Sequence, residues 1–132
     1  MRQQSDPPLR ILVVENYPDT LHYLTLFLED QGHTVVPAMD MAGAMAAFPG
    51  SDADVLICDI GLPDGDGWEL MERLQTDVFA IAITGYGTHG DRERSRAAGF
   101  REHLTKPFKL AALAKILHEA AEEKLGQSSD AR

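Results

Sequence analysis

Short apolar runs alternate along this chain with longer stretches that are apolar on one side only. Arg10–Glu15 is a brief, β-branched run and predicts a buried strand. From Pro18 to Gln31 the period changes to that of a helix. Leu21, Leu24 and Leu28 share a face, Pro18 suits a first turn, and Gly32 can close the end. Thr34–Val36 predicts a second strand, and Met41–Phe48 a short alanine-rich helix ended by Pro49-Gly50. Asp54–Cys58 predicts a third strand. A turn cluster, Gly61-Leu62-Pro63-Asp64-Gly65, follows it, and Asp66 can cap a helix carrying Leu70, Met71 and Leu74. Phe79–Ile83 and Arg101–Thr105 predict the fourth and fifth strands. Between them lies a highly charged helix, Asp91 to Ala98, closed by Gly99. Lys109 to Leu125 predicts the last helix, with Leu110, Leu113, Leu117 and Ala121 on one stripe and Ile116 alongside.

Strands alternating with helices imply right-handed crossovers and a parallel sheet covered on both faces. About five such units predict an α/β fold, a flavodoxin-like doubly wound (βα)5 domain with strand order 2-1-3-4-5. The expected boundaries are a disordered lead over 1–8, one domain over 9–125 and a disordered tail over 126–132. Ligands of such sheets bind at the carboxyl ends of the strands, in the crevice between the first and third. Polar residues stand at those ends: Glu15 and Asn16, Asp59, Thr84, and Lys106 before Pro107.

Composition narrows the setting. With 132 residues, 44% of them hydrophobic, the chain has room for one well-filled core. No apolar run approaches the roughly 20 residues that span a bilayer, and Met1 to Leu9 has no apolar signal-peptide core. The single cysteine, Cys58, excludes an internal disulfide and suits a reducing cytoplasm. A net charge of −9 with no basic stripe argues against direct nucleic-acid binding. It suits a divalent cation or a basic partner surface.

Two acids, an amide, a hydroxyl and a lysine at one edge point to a phosphoryl-accepting aspartate with a metal and a lysine beside it. Each residue alone has a plainer reading. Asp59 could be a turn or cap residue, Thr84 a turn residue, and Lys106 a solvated charge. Their coincidence at matching strand ends is what favours chemistry. Asp64 and Asp66 lack the full calcium-loop pattern and read as caps or solvated charges. Cys58 reads as an apolar filler pointing away from Asp59. The histidines form no metal-ligand pair, and the glycines after Thr84 lack the Gly-Lys-Ser/Thr of a nucleotide loop.

Four segments carry a resemblance. Ile11-Leu12-Val13-Val14-Glu15-Asn16, Leu56-Ile57-Cys58-Asp59-Ile60-Gly61-Leu62-Pro63, Ile81-Ala82-Ile83-Thr84-Gly85 and Leu104-Thr105-Lys106-Pro107-Phe108 resemble the receiver domain of bacterial response regulators. The resemblance runs from about Leu9 to Leu125. It implies that Asp59 accepts a phosphoryl group from a histidine kinase or a histidine phosphotransfer protein. It implies Mg²⁺ held by Glu15, Asn16, Asp59 and the backbone carbonyl of Gly61. It also implies Lys106 and Thr84 on the phosphoryl oxygens, and a cis bond at Lys106–Pro107.

The chain departs from the family at Asn16, where most receivers have a second acid. One negative charge is lost, so weaker Mg²⁺ binding and a less self-repelling pocket are expected. Asp19, one helical turn on, would compensate in part through water. His103 stands where receivers often carry a switching aromatic, and adds a group that titrates near neutrality. Tyr86 would be an extra aromatic over the adjoining loop. The run through Thr84, Gly99 and Leu104 resembles receivers of hybrid histidine kinases. Met1 and its short lead favour a stand-alone chain. The fourth helix, fifth strand and fifth helix form the expected switch and partner face, with a homodimer as one use of it. The alternative is a phosphate-independent receiver that serves as an interaction module. A separate enzymatic activity is not expected: a phosphatase would need a second acid where Gly61 stands.

Overall fold

The computed structural model describes residues 6–85 and 89–130. Strand β1 (Arg10–Val14) leads to α1 (Pro18–Asp30), β2 (Thr34–Ala38), α2 (Met41–Ser51) and β3 (Val55–Asp59). The turn cluster folds into a small antiparallel hairpin, β4 (Gly61–Leu62) and β5 (Gly65–Asp66). Then follow α3 (Gly67–Leu74), β6 (Phe79–Thr84), α4 (His89–Ala98), β7 (Glu102–Thr105) and α5 (Leu110–Asp130).

The main sheet is parallel throughout, in the order β2-β1-β3-β6-β7. With the hairpin set aside, this is the expected order 2-1-3-4-5. Alternate residues of a strand face opposite ways, so the sheet has a core on each side. Ile11, Val13, Ile57, Ile81 and Ile83 pack with Leu24 and Leu28 of α1 and Leu113 and Leu117 of α5. Leu12, Val14, Leu56, Cys58, Ala80 and Ala82 pack with Ala44 of α2 and with Leu70 and Met71 of α3.

Helix ends follow local chemistry. Gly32 has a φ of 98° and closes α1, where the N–H groups of Gly32 and His33 bond to the carbonyls of Glu29 and Leu28. Asp66 caps α3 as expected, accepting from the N–H of Glu69 at 2.8 Å. The predicted stop at Pro49 is not observed: α2 runs on to Ser51. Pro49 lies in the last turn, where its missing N–H forgoes a single intrahelical bond. Ser51 then donates to the carbonyl of Phe48, and Asp52 takes the left-handed conformation.

Both ends of the described chain make local structure. Asp6 lies 3.0 Å from His118 Nδ1, and Lys124 donates to the carbonyl of Pro8, so residues 6–8 are tied to α5. Helix α5 continues past Leu125 to Asp130, because Gly126 weakens a helix by only about 1 kcal/mol and no proline follows. Residues 1–5 and 131–132 lie outside the described residues. No helix is long and apolar enough to cross a membrane, among the described residues.

Candidate functional site

Register brings the predicted residues to one edge. Val14 pairs with Cys58, Asp59 with Ile83, and Thr84 with Thr105. The residues that end or follow β1, β3, β6 and β7 are therefore Glu15, Asp59, Thr84 and Lys106, side by side. Glu15 is 1% exposed, and Asp59 and Thr84 are also buried. The Lys106 ammonium donates to Asp59 Oδ2 at 2.9 Å and to Glu15 Oε1 at 3.2 Å. One cation thus bridges two buried carboxylates. The Lys106–Pro107 peptide is cis, as expected.

Each carboxylate also has a backbone donor. Asp59 Oδ1 accepts from the N–H of Gly61 at 3.0 Å, and Glu15 Oε2 from that of Tyr17 at 3.0 Å. Burial and the charge of Asp59 push the Glu15 carboxyl above its ordinary range, against the N–H of Tyr17 and the ammonium of Lys106. For Lys106, burial disfavours the charge. The hydrogen bond to Asp59 and the charges of Asp59 and Glu15 prevail and hold its pKa above the usual value.

The donor set fits a small hard cation. Glu15, Asp59 and the half-buried Asn16 offer oxygen ligands, and the Gly61 backbone lies against Asp59. Among the described residues no group of three or more His, Cys, Asp or Glu could hold a metal, so the set depends on an amide, a carbonyl and water for its remaining ligands. That suits Mg²⁺, which keeps several waters. Asp19 is exposed on the first turn of α1.

Gly67, the first residue of α3, packs against the end of β3 and donates its N–H to the carbonyl of Ile60. A Cβ there would lie 2.8 Å from Ile60 Cδ1 and 3.1 Å from the carbonyl oxygen of Asp59. Only glycine lets α3 come this close to the end of β3.

A family model described as the response regulator receiver domain matches residues 11–118. The chain belongs to the receiver-domain family of response regulators. A 14.6 kDa protein from Leptolyngbya boryana is 32% identical over 114 residues, covering 83% of this chain and 87% of that one. The transcriptional regulatory protein TcrA of Mycobacterium tuberculosis is 37% identical over 108 residues, covering 80% of this chain but 43% of the regulator. The receiver thus spans less than half the length of that regulator. A CheY-like receiver structure from Methanospirillum hungatei superposes with a TM-score of 0.84 at 27% identity, covering 92% of this chain and 99% of that one.

Beyond the site, this receiver places its other predicted residues as follows. His103 is half-buried on β7, with Nδ1 3.2 Å from Ser95 Oγ. Tyr86 lies outside the described residues. Cys58 packs in the α2–α3 core, and its thiol donates to the backbone carbonyl of Asp59, not to the carboxylate. Burial raises its pKa far above that of a reactive thiol.

Two contacts escape the sequence reading, and a third, the cap expected of Asp64, falls on a helix that the reading did not name. Tyr17, 63% exposed, sets its ring 5.6 Å from the Lys106 ammonium. Asp64 caps α2, accepting from Met41 and Ala42 N–H groups at 2.7 and 3.0 Å. Those bonds hold its carboxyl below the usual range. Ser95 joins His103 to Trp68. Of these, only the Asp64 contact leaves a trace in sequence, as an acid in a turn with no helix of its own to cap.

Proposed function

We propose that this receiver accepts a phosphoryl group on Asp59 from a phosphohistidine of a histidine kinase or histidine phosphotransfer protein. The observation that carries the reading is the Lys106 ammonium at 2.9 Å from Asp59 Oδ2, at the carboxyl edge of a parallel sheet. An Asp59 oxygen bonds to phosphorus while the phosphorus–nitrogen bond of the donor breaks. Its electron pair stays with the departing imidazole. Phosphoryl transfer needs mainly positioning and charge neutralisation. Lys106, already placed, turns from the carboxylate to a phosphoryl oxygen, and Thr84 donates its hydroxyl to another.

Glu15, Asn16, Asp59 and the Gly61 carbonyl are the groups that would hold Mg²⁺. When bound, the ion supplies positive charge to the phosphoryl oxygens. The chain acts on itself alone: it takes the group and later loses it to water, with no separate substrate turned over. A cytoplasmic setting fits the lone thiol and this class of donor. We assign partner contact, or contact with a second copy, to the surface of α4, β7 and α5.

Incubation with a small phosphoryl donor and Mg²⁺, followed by intact mass, tests this. We expect a single-phosphoryl adduct that is lost in Asp59→Asn. No adduct at saturating Mg²⁺, or one that survives the substitution, overturns the reading. The second reading, a phosphate-independent interaction module, is favoured by Asn16 and would then stand.

A further inference from the structure

Helix α4 has little to hold it down. Its sequence, HGDRERSRAA, contains no large apolar side chain. Among its described side chains Ser95 alone is buried, at 1% exposure. That hydroxyl accepts from Trp68 Nε1 of α3 at 2.9 Å and lies 3.2 Å from His103 Nδ1 of β7. One serine therefore pins the helix to both of its neighbours. On the outside of the same joint the Arg94 guanidinium sits 4.0 Å above the Trp68 ring.

The joint has an imperfection. His103 Nε2 is buried with no hydrogen-bond partner, and so is Thr105 Oγ1 two residues along the same face of β7. A neutral imidazole has one donor and one acceptor nitrogen. With Trp68 donating to Ser95, the serine proton can point at Nδ1, and the neutral ring is satisfied on that side. A protonated ring carries N–H on both nitrogens. In the neutral tautomer Nε2 already carries its proton without an acceptor; protonation adds an Nδ1–H, which can still reach the hydroxyl, and places a positive charge under α4. A charge on a half-buried ring whose Nε2 is shielded from water is costly, and the ring gains full solvation by swinging out.

The surrounding groups agree. Burial, and then Arg92 of α4, hold the His103 pKa below its ordinary value, against the opposing charge of Asp91 on the same helix. Trp68 on α3 and the register partner Ala82 on β6 bring no charge. Glu102 is the next residue on β7, and by strand alternation its side chain faces the other side of the sheet.

We propose that His103 is a proton-operated catch for α4. With the ring neutral, α4 is docked on β7 through Ser95. On protonation the ring swings out and the helix is released from both β7 and Trp68. This regulation of the α4–β7 surface does not depend on phosphoryl transfer.

Trp68 is the only tryptophan in the chain, so its emission reads the joint. The full chain is titrated from about pH 8 to about pH 5, the range in which histidine changes charge. Trp68 fluorescence and the imidazole NMR signals are followed together. The expected result is a one-proton change in emission, with a midpoint below the ordinary histidine value, coincident with titration of the His103 ring. H103Q abolishes the change, whereas H89Q, on the same helix, keeps it. In S95A the His103 ring still titrates but the emission change is lost. A flat wild-type emission overturns the proposal, as does a change that persists in H103Q or in S95A. The S95A arm retains His103 and decides the matter should H103Q fail to fold.

Discussion

Glu15 and Asp59 are buried neighbours of like charge with one ammonium between them. The Glu15 pKa is raised on folding, so its contribution to stability is full below the ordinary glutamate value and is lost as pH rises through the folded value. Glu15→Gln is therefore expected to stabilise the metal-free chain at neutral pH, seen as a higher urea midpoint. The gain should vanish near pH 4, where wild-type Glu15 is protonated; urea melts at the two pH values check this. Asn16→Asp has the opposite aim. A third carboxylate should tighten Mg²⁺ binding by about tenfold, or roughly 1.4 kcal/mol, and calorimetry measures it. Gly67→Ala presses a methyl group on Ile60 and the Asp59 carbonyl. It should cost about 1–3 kcal/mol, the usual range for overpacking, seen as a lower denaturant midpoint. Asp59, Thr84 and Lys106 are legible from strand endings alone. The need for glycine at 67 is not, because it depends on how closely α3 approaches β3.

Among the elements, α3 and α4 differ in what fixes them. Helix α3 has an Asp66 cap and buried Leu70 and Met71. Asp66→Ala should cost about 1 kcal/mol, typical of a lost N-cap, measured by thermal unfolding. Helix α4 is anchored by Ser95 and carries charge on most of its remaining positions. Local opening is cheapest where buried apolar contacts are few. Backbone amides of α4 should therefore exchange faster than those of α3 or α5, and native-state hydrogen exchange resolves them by peptide. The order of elements and the polarity of α4 can be read from the hydrophobic period, which is a local property. Boundaries fare less well. Pro49 is absorbed into α2 and α5 reaches Asp130, because a helix end depends on which later residues supply caps and contacts.

At the scale of the whole molecule, the fold gathers distant charges at one edge of the sheet. A cation bound only by the folded chain stabilises it by mass action. Added Mg²⁺ should therefore raise the melting temperature in proportion to the logarithm of its concentration. Asp59→Asn should weaken the effect, and Ca²⁺ in place of Mg²⁺ reports size selectivity.

By itself the sequence determined the alternation of strands and helices, the parallel sheet, the strand order and the edge at which chemistry gathers. The alternation follows from the period of apolar residues, the strand order from the doubly wound fold that the alternation implies, and the edge from what stands at the end of each run. The tertiary structure alone decided which side chains meet there. Lys106 spans a separation of 91 residues to reach Glu15, and Ser95 links residues of two other elements. Periodicity assigns a residue to a face, but contact depends on register, helix approach and rotamer, which exist only once the faces have packed.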